Sequence, residues 1–381
     1  MNQNLALGIY IHWPFCEKKC PYCDFNSHVR DNINHSDWLN AYLNELKYYA
    51  SKTPGRFITS VFFGGGTPTL MKASVIERIL DEVQSLWHCS NNIEITAEAN
   101  PSSSESKRFR DFKRAGINRL SIGVQSLRNQ SLMFLGRLHT ANNAISAINN
   151  AVSIFPRVSF DLIYALPGQT IKMWETELYE AIQLAAGHIS LYQLTIEPGT
   201  EFYKNRISSA SEVVGAKLYE LTQEVMGEAN LPAYEVSNHA KKGEESRHNL
   251  IYWTGVDYIG IGPGAHGRIT QKYKTDMMHN YRDPEKWLHL SLTNNFGCQK
   301  RARLSDEQRR DELVLMGLRL VNGISLRQFK LLTNQHLLTM LNINKINILK
   351  DRGYLCMTND CLKASPDGRQ RLNSIVEYLL T

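Results

Sequence analysis

The stretch Leu7–Cys23, LGIYIHWPFCEKKCPYC, decides how the rest of the chain is read. Its first half, LGIYIHW (7–13), is rich in β-branched and aromatic residues and predicts a strand. Its second half places Cys16, Cys20 and Cys23 close together in the loop that follows. The other cysteines are Cys89, Cys298, Cys356 and Cys361. An odd total of seven in 381 residues does not describe a secreted disulfide framework. Cys89 and Cys298 suit scattered, partly buried thiols. Cys356 and Cys361 fall on a predicted hairpin, and two thiols alone do not make a metal site. The group at 16–23 needs a different explanation.

Composition narrows the classes. An apolar fraction of 43% and a charged fraction of 21% exclude a mostly disordered chain. No apolar run reaches the roughly 18 residues of a membrane span. The opening MNQNLALGIYIHW lacks the basic and apolar regions of a signal peptide, so a cytoplasmic protein is expected. A net charge of +6 permits an anionic ligand without arguing for nucleic acid.

Outward from the cysteines, strand and helix signals alternate. A helix starts at Ser36, with Leu39, Tyr42, Leu43 and Leu46 on one face. ITSVFF (58–63) is a strand ending in Gly64-Gly65-Gly66-Thr67-Pro68, and a helix follows from Ser74. The strand IEITAEANP (93–101) leads to a predicted helix over 104–116 closed by Gly116. Strands at 119–126, 157–168 and 188–195 follow, with helices predicted over 131–139, 141–155, 171–187 and 211–230. Six strand–helix units over residues 1–230 imply an α/β fold with a parallel sheet covered by helices. A doubly wound open sheet and a partial barrel both satisfy that pattern. In either, ligands belong at the C-terminal strand ends, where every polar or glycine-rich feature falls.

Residues 231–300 have poor periodicity and are read as a connecting segment; YIGIGPGAHG (258–267) is a short strand entering a glycine-rich turn. Residues 301–381 form a smaller, helix-rich domain resembling a winged helix. Ser305 and Gln308 make a capping box at its start. A recognition helix for DNA presents several basic residues on one face. INKINILKDRGYL (343–355) offers only Lys345, Lys350 and Arg352, so no nucleic-acid partner is expected.

Three nearby thiolates ligate one metal centre. Structural zinc takes a fourth Cys or His, here His12 or His28. A four-iron cluster takes thiolates at its irons, and three ligands leave one iron open to an outside group. Gly65 and Gly66 let backbone N–H and C=O groups approach a ligand closely. Glu98 and Gln125 close the third and fourth strands, Arg137 follows in LGRLH, and Asp161 lies on the fifth strand. A guanidinium fork suits a carboxylate.

CEKKCPYC (16–23) resembles the CxxxCxxC signature of the radical S-adenosylmethionine family, whose fold is a partial (β/α)6 TIM-like barrel. The resemblance implies a [4Fe-4S] cluster on Cys16, Cys20 and Cys23, with S-adenosyl-L-methionine on its open iron. It places Tyr22 beside the adenine and GGGTP at the methionine amino group. More closely, the segments resemble the oxygen-independent coproporphyrinogen III dehydrogenase group. That match implies Tyr10, Gly65, Gly66, Thr67, Glu98, Gln125, Arg137 and Asp161 as S-adenosyl-L-methionine contacts.

One position departs from the dehydrogenase pattern. Where that enzyme has CxxxCxxCxC, this chain has Cys23-Asp24-Phe25. The DFNSH that follows, and His248-Asn249-Leu250-Ile251-Tyr252-Trp253, resemble the HemW-type heme-chaperone branch and its HNxxYW motif. The resemblance implies heme as a further ligand, with His248 as axial ligand and Tyr252 and Trp253 over the porphyrin; His266 is a second candidate. Implied partners are respiratory hemoproteins at the membrane and a second copy of the chain in a homodimer. The alternative function is the dehydrogenase itself, a radical enzyme acting on propionate side chains.

Overall fold

Strand β1 (Ala6–Trp13) runs through the middle of an eleven-stranded sheet in the computed structural model, which describes residues 6–102 and 106–381. Its Leu7, Ile9, Ile11 and Trp13 on one face, and Gly8 and His12 on the other, are buried, the state of a parallel strand with layers on both faces. On one side follow β2 (Phe57–Gly65), β3 (His88–Ala99), β4 (Arg119–Gln125), β5 (Arg157–Tyr164) and β6 (His188–Gln193). Each is parallel to the one before it. Strands in sequence order keep one direction of winding. A doubly wound sheet reverses at a switch point, so the partial barrel is the architecture adopted.

The connecting helices form largely where periodicity placed them. Thr140, Thr170 and Ser211 each accept the N–H three residues on and start the helices Ala141–Ile154, Ile171–Leu184 and Glu212–Glu228. Two boundaries differ from expectation. Residues 104 and 105 lie outside the described residues, and the helix there is the shorter Phe109–Arg114. The helix expected over 131–139 is Asn129–Phe134, followed by Gly136 at φ +68°. That left-handed turn takes Arg137 off the helix and into a loop facing the strand ends.

The segment 231–300, read as a connector, joins the same sheet. β7 (Asn238–Ala240) pairs antiparallel with β6. β8 (Tyr258–Ile261) pairs parallel with β1, and β9 (His266–Gln271), β10 (Lys274–Asn280) and β11 (Cys298–Arg303) extend it antiparallel. One buried carboxylate holds this extension. Glu45, on the helix His35–Lys52, accepts from Gly262 N (2.8 Å), Gly297 N (3.1 Å), Asn280 Nδ2 (3.0 Å) and Trp287 Nε1 (3.1 Å). Short strands tied by glycine turns to one acid leave little periodicity to read.

The helix Arg247–Trp253 lies against β1 and β2. It approaches closely because Gly8 has no side chain: a Cβ there would stand 2.6 Å from the Ile251 side chain. The C-terminal part has its own core, including Val314, Phe329, Ile346, Leu362 and Ile375. A three-stranded sheet crosses it, and Leu355–Met357 with Cys361–Ala364 forms the expected hairpin. The Ser305–Gln308 capping box is present. Among the described residues no helix is long and apolar enough to cross a membrane.

Candidate functional site

The cysteine loop is pinned at both ends. Phe15–Cys16 pairs with His28–Val29, so the intervening residues close on themselves. Gly66 N donates to Trp13 O at 2.7 Å and Thr67 N to Phe15 O at 2.8 Å, fastening the glycine turn after β2 to the loop. Gly65 stands at φ +110°, and a Cβ on Gly66 would lie 2.5 Å from the Phe15 carbonyl oxygen. Only glycine suits that crossing. Phe202 N donates to Pro21 O at 2.9 Å and holds the middle of the loop, while the Tyr22 ring packs on Phe202.

All three thiols of the loop are free. Thr67 Oγ1 donates to Cys16 Sγ at 3.5 Å, and Arg137 donates to Cys20 Sγ at 3.4 Å. Burial pushes the Cys16 and Cys23 thiols up. Among the described residues no group of three His, Cys, Asp or Glu closes on a single metal ion. The thiols instead border one cavity of about 420 Å³. Separate thiolates around a shared space suit a multinuclear cluster better than a lone ion. Zinc also loses its fourth ligand here. The His12 nitrogens meet Tyr10 Oη (3.0 Å) and the Asn26 carbonyl (2.9 Å), and His28 is exposed.

Gly65, Gly66, Thr67, Glu98, Gln125, Arg137 and Asp161 line that cavity with the cysteines and Tyr22. The ends of successive parallel strands bring them together. Gln125 sits at φ +70° where the β4–β5 register shifts. A non-glycine residue held there is strained. Arg137 donates to Asn100 Oδ1 and to Gly123 O, both at 2.7 Å. Its Nε is buried without a partner in the protein. Glu98 accepts from Gly65 N at 3.0 Å. Burial and the nearby Asp161 push Glu98 up to about 8, and burial pushes Asp161 up to about 6. An unsatisfied guanidinium N–H opposite two carboxyls short of positive charge suits a ligand carrying both a carboxylate and cationic groups. S-adenosyl-L-methionine is such a ligand, so the residues present fit both groups of the cofactor set.

Asn100 was missed in the sequence. It joins Arg137 to Thr67 Oγ1, to which its Nδ2 donates at 3.0 Å. It stands two residues after Glu98, the same-face spacing of an extended chain, and that was the available signal.

Phe25, Gly65 and Glu98 also border a second cavity of about 440 Å³, and Tyr10, expected at the S-adenosyl-L-methionine site, lines this second cavity rather than the first. Phe25 is 55% exposed. Tyr252, Tyr258, His266, His279 and Arg282 are among its other lining residues.

His248, expected as an axial ligand of heme, stands apart from both cavities. It is 1% exposed, its Nδ1 meets Ser60 Oγ at 2.8 Å, and its Nε2 meets Tyr252 Oη at 2.8 Å. Phe62 stacks on its ring at 5.1 Å. The neutral imidazole points its lone pair at one of these hydroxyls, and the residue lines neither cavity. Trp253 likewise turns away, carrying the Arg319 guanidinium over its ring at 4.6 Å. Of the motif, Tyr252 is the member that reaches the cavity.

Residues 10–178 match the radical SAM superfamily model and residues 304–371 the HemN C-terminal domain model. The chain is 36% identical to the mitochondrial radical S-adenosyl methionine domain-containing protein 1 of Danio rerio, covering 98% of this chain and 86% of that one. It is 34% identical to the heme chaperone HemW of Buchnera aphidicola, covering 98% of both, and 41% identical to Escherichia coli HemW over 69% of this chain and 70% of that one. The structure of the Escherichia coli coproporphyrinogen III oxidase HemN, a radical SAM enzyme, superposes with a TM-score of 0.83 at 18% identity, covering 99% of this chain and 90% of that one. That likeness shows the fold. Membership of this family implies a [4Fe-4S] cluster and S-adenosyl-L-methionine. The chain belongs to the radical S-adenosylmethionine family, in the group formed by the heme chaperone HemW and the radical S-adenosyl methionine domain-containing protein 1.

Proposed function

We propose that this chain is a cytoplasmic heme chaperone: it binds heme and delivers it to respiratory hemoproteins at the membrane. Cys16, Cys20 and Cys23 would hold the [4Fe-4S] cluster. A bound cluster of this kind offers an open iron to the amino and carboxylate groups of S-adenosyl-L-methionine. The chain's own residues divide the rest of the work. Gly65 and Gly66 bring backbone groups to the amino end, Arg137 faces the carboxylate, and Glu98 and Asp161 face the cationic and hydroxyl groups. Gln125 and Tyr22 complete the wall, and Tyr10 backs Glu98.

Phe25 carries the choice of chaperone over dehydrogenase. In the dehydrogenase pattern a thiol occupies that position. Here an exposed phenyl ring stands between the two cavities. A phenyl group neither ligates iron nor moves a proton, and it offers an apolar face to a flat ligand. The relatives named HemW support the same reading.

The test is anaerobic incubation of the cluster-loaded chain with coproporphyrinogen III, S-adenosyl-L-methionine and a reductant. No protoporphyrinogen should form, and the same preparation should pass heme to an apo-hemoprotein. Sustained decarboxylation without heme transfer overturns the proposal.

A further inference from the structure

The two edges of the eleven-stranded sheet differ. β7, at one edge, is 3 residues long and buried. β11, at the other, is 6 residues long and mostly exposed. Leu304 N donates to Thr275 O at 2.9 Å, and Arg301 and Arg303 stand opposite Met278 and Asp276 of β10. The antiparallel alternation therefore turns the N–H and C=O of Arg301 and Arg303 away from β10. Among the described residues no other segment bonds to those groups. An open row of this kind is a template for one more strand.

Charge alone would do no more than guard such an edge. Here a cavity of about 430 Å³ opens beside it, and its lining includes Tyr48, Lys52, Met278, Phe296 and Arg301. The Tyr48 and Phe296 rings stack with centroids 4.2 Å apart and planes 4° apart, forming one aromatic wall. Met278 and Arg301 are a register pair, so a strand added to β11 can place a side chain in the cavity. The edge also carries excess positive charge. Arg301 and Arg303 share the Asp276 carboxylate, each at 2.8 Å. Lys52 and Lys300 make no ion pair among the described residues.

We propose that β11 is a docking edge: an acidic, extended segment of a partner protein adds to it as a further strand, with one aromatic or apolar side chain in the cavity beside Phe296. Main-chain bonds to Arg301 and Arg303 supply affinity, and the cavity selects the side chain. Lys52, Lys300 and the two arginines select acidic residues around it. Two copies of this chain pairing edge to edge would set Lys300, Arg301 and Arg303 against one another, and like charges placed opposite repel. The edge is independent of the heme reading above.

Fluorescence anisotropy with the full chain tests the assignment. The probe is a labelled peptide in which Glu alternates with Val around one central Phe. It should bind saturably, more weakly as salt is raised, and amide exchange at Arg301 and Arg303 should slow in its presence. Peptides with Lys in place of Glu, or with Pro at alternate positions, should not bind. Arg301→Pro removes an outward N–H and spares the ladder to β10. It should lower affinity by roughly tenfold or more with unchanged circular dichroism, whereas Arg301→Ala keeps the N–H and should cost less. Phe296→Ala should weaken the peptide with Phe more than one with Ala in its place. No saturable binding of the acidic peptide, equal binding of the Lys peptide, or equal affinity in Arg301→Pro and Arg301→Ala overturns the proposal. Binding to phosphatidylglycerol vesicles without binding of the peptide assigns the patch to a lipid surface and overturns it as well.

Discussion

Arg137 donates to the Cys20 sulfur at 3.4 Å, across 117 residues of chain. The same guanidinium holds Asn100 and the Gly123 carbonyl. One side chain thus ties the cysteine loop to the third and fourth strands, and its remaining Nε is left for a ligand. Arg137→Lys keeps the charge and removes the fork. The expected result is a loss of S-adenosyl-L-methionine affinity of roughly tenfold or more, the scale of a lost charged hydrogen bond. Equilibrium binding to the cluster-loaded variant measures it, and wild-type affinity would count against the role.

The seven cysteines should separate cleanly. Cys16→Ser, Cys20→Ser or Cys23→Ser should each abolish iron retention after anaerobic reconstitution. Serine at Cys89, Cys298, Cys356 or Cys361 should leave iron and sulfide content unchanged. Iron analysis per chain decides it. Retention of a full cluster in Cys20→Ser would mean that the loop is not the cluster site.

Glu45 anchors the segment that carries the second cavity. Burial pushes its carboxyl up to about 7, even with Gly262, Gly297, Trp287 and Asn280 donating to it. Glu45→Ala strands those four donors in the interior. A loss of about 3–5 kcal/mol in urea unfolding is expected, the range for a broken buried network. Glu45→Gln keeps one acceptor oxygen and should fall between. A cost of only a few tenths for Glu45→Ala would show that the segment is held by other contacts.

Glu98 gives the chain a pH-dependent stability when no cofactor is bound. Its folded value is raised from 4.5 to about 8. The folded state therefore binds the extra proton. This contribution is complete below about 4.5 and is lost as pH rises through about 8. Glu45 and Asp161 shift in the same direction, so the difference between wild type and Glu98→Gln isolates the effect. Thermal unfolding of both, before reconstitution, should show the wild type losing stability relative to the variant across that window. Parallel curves would refute it.

The first cavity was legible because its residues sit at ends of strands that announce themselves. Apolar runs predicted β1 to β6; the cysteines, glycines, Glu98 and Gln125 follow from where those runs stop, and Asp161 is the acid that interrupts the fifth. Arg137 was found despite a wrong helix boundary, since Gly136 ends that helix early and turns the side chain inward. The second cavity was harder. Its strands are short, and its attachment depends on Glu45, which looks like an ordinary polar position on a helix. Nor does a motif give any sign of burial, and His248 is buried. Only coordinates show Ser60 and Tyr252 occupying both of its nitrogens.

The most direct test of the central claim is anaerobic reconstitution with iron and sulfide, followed by titration with hemin. The account predicts saturable binding of heme by the cluster-loaded chain, with the spectrum of an imidazole-ligated iron. Absence of saturable binding, in a preparation whose iron content shows the cluster in place, would contradict it.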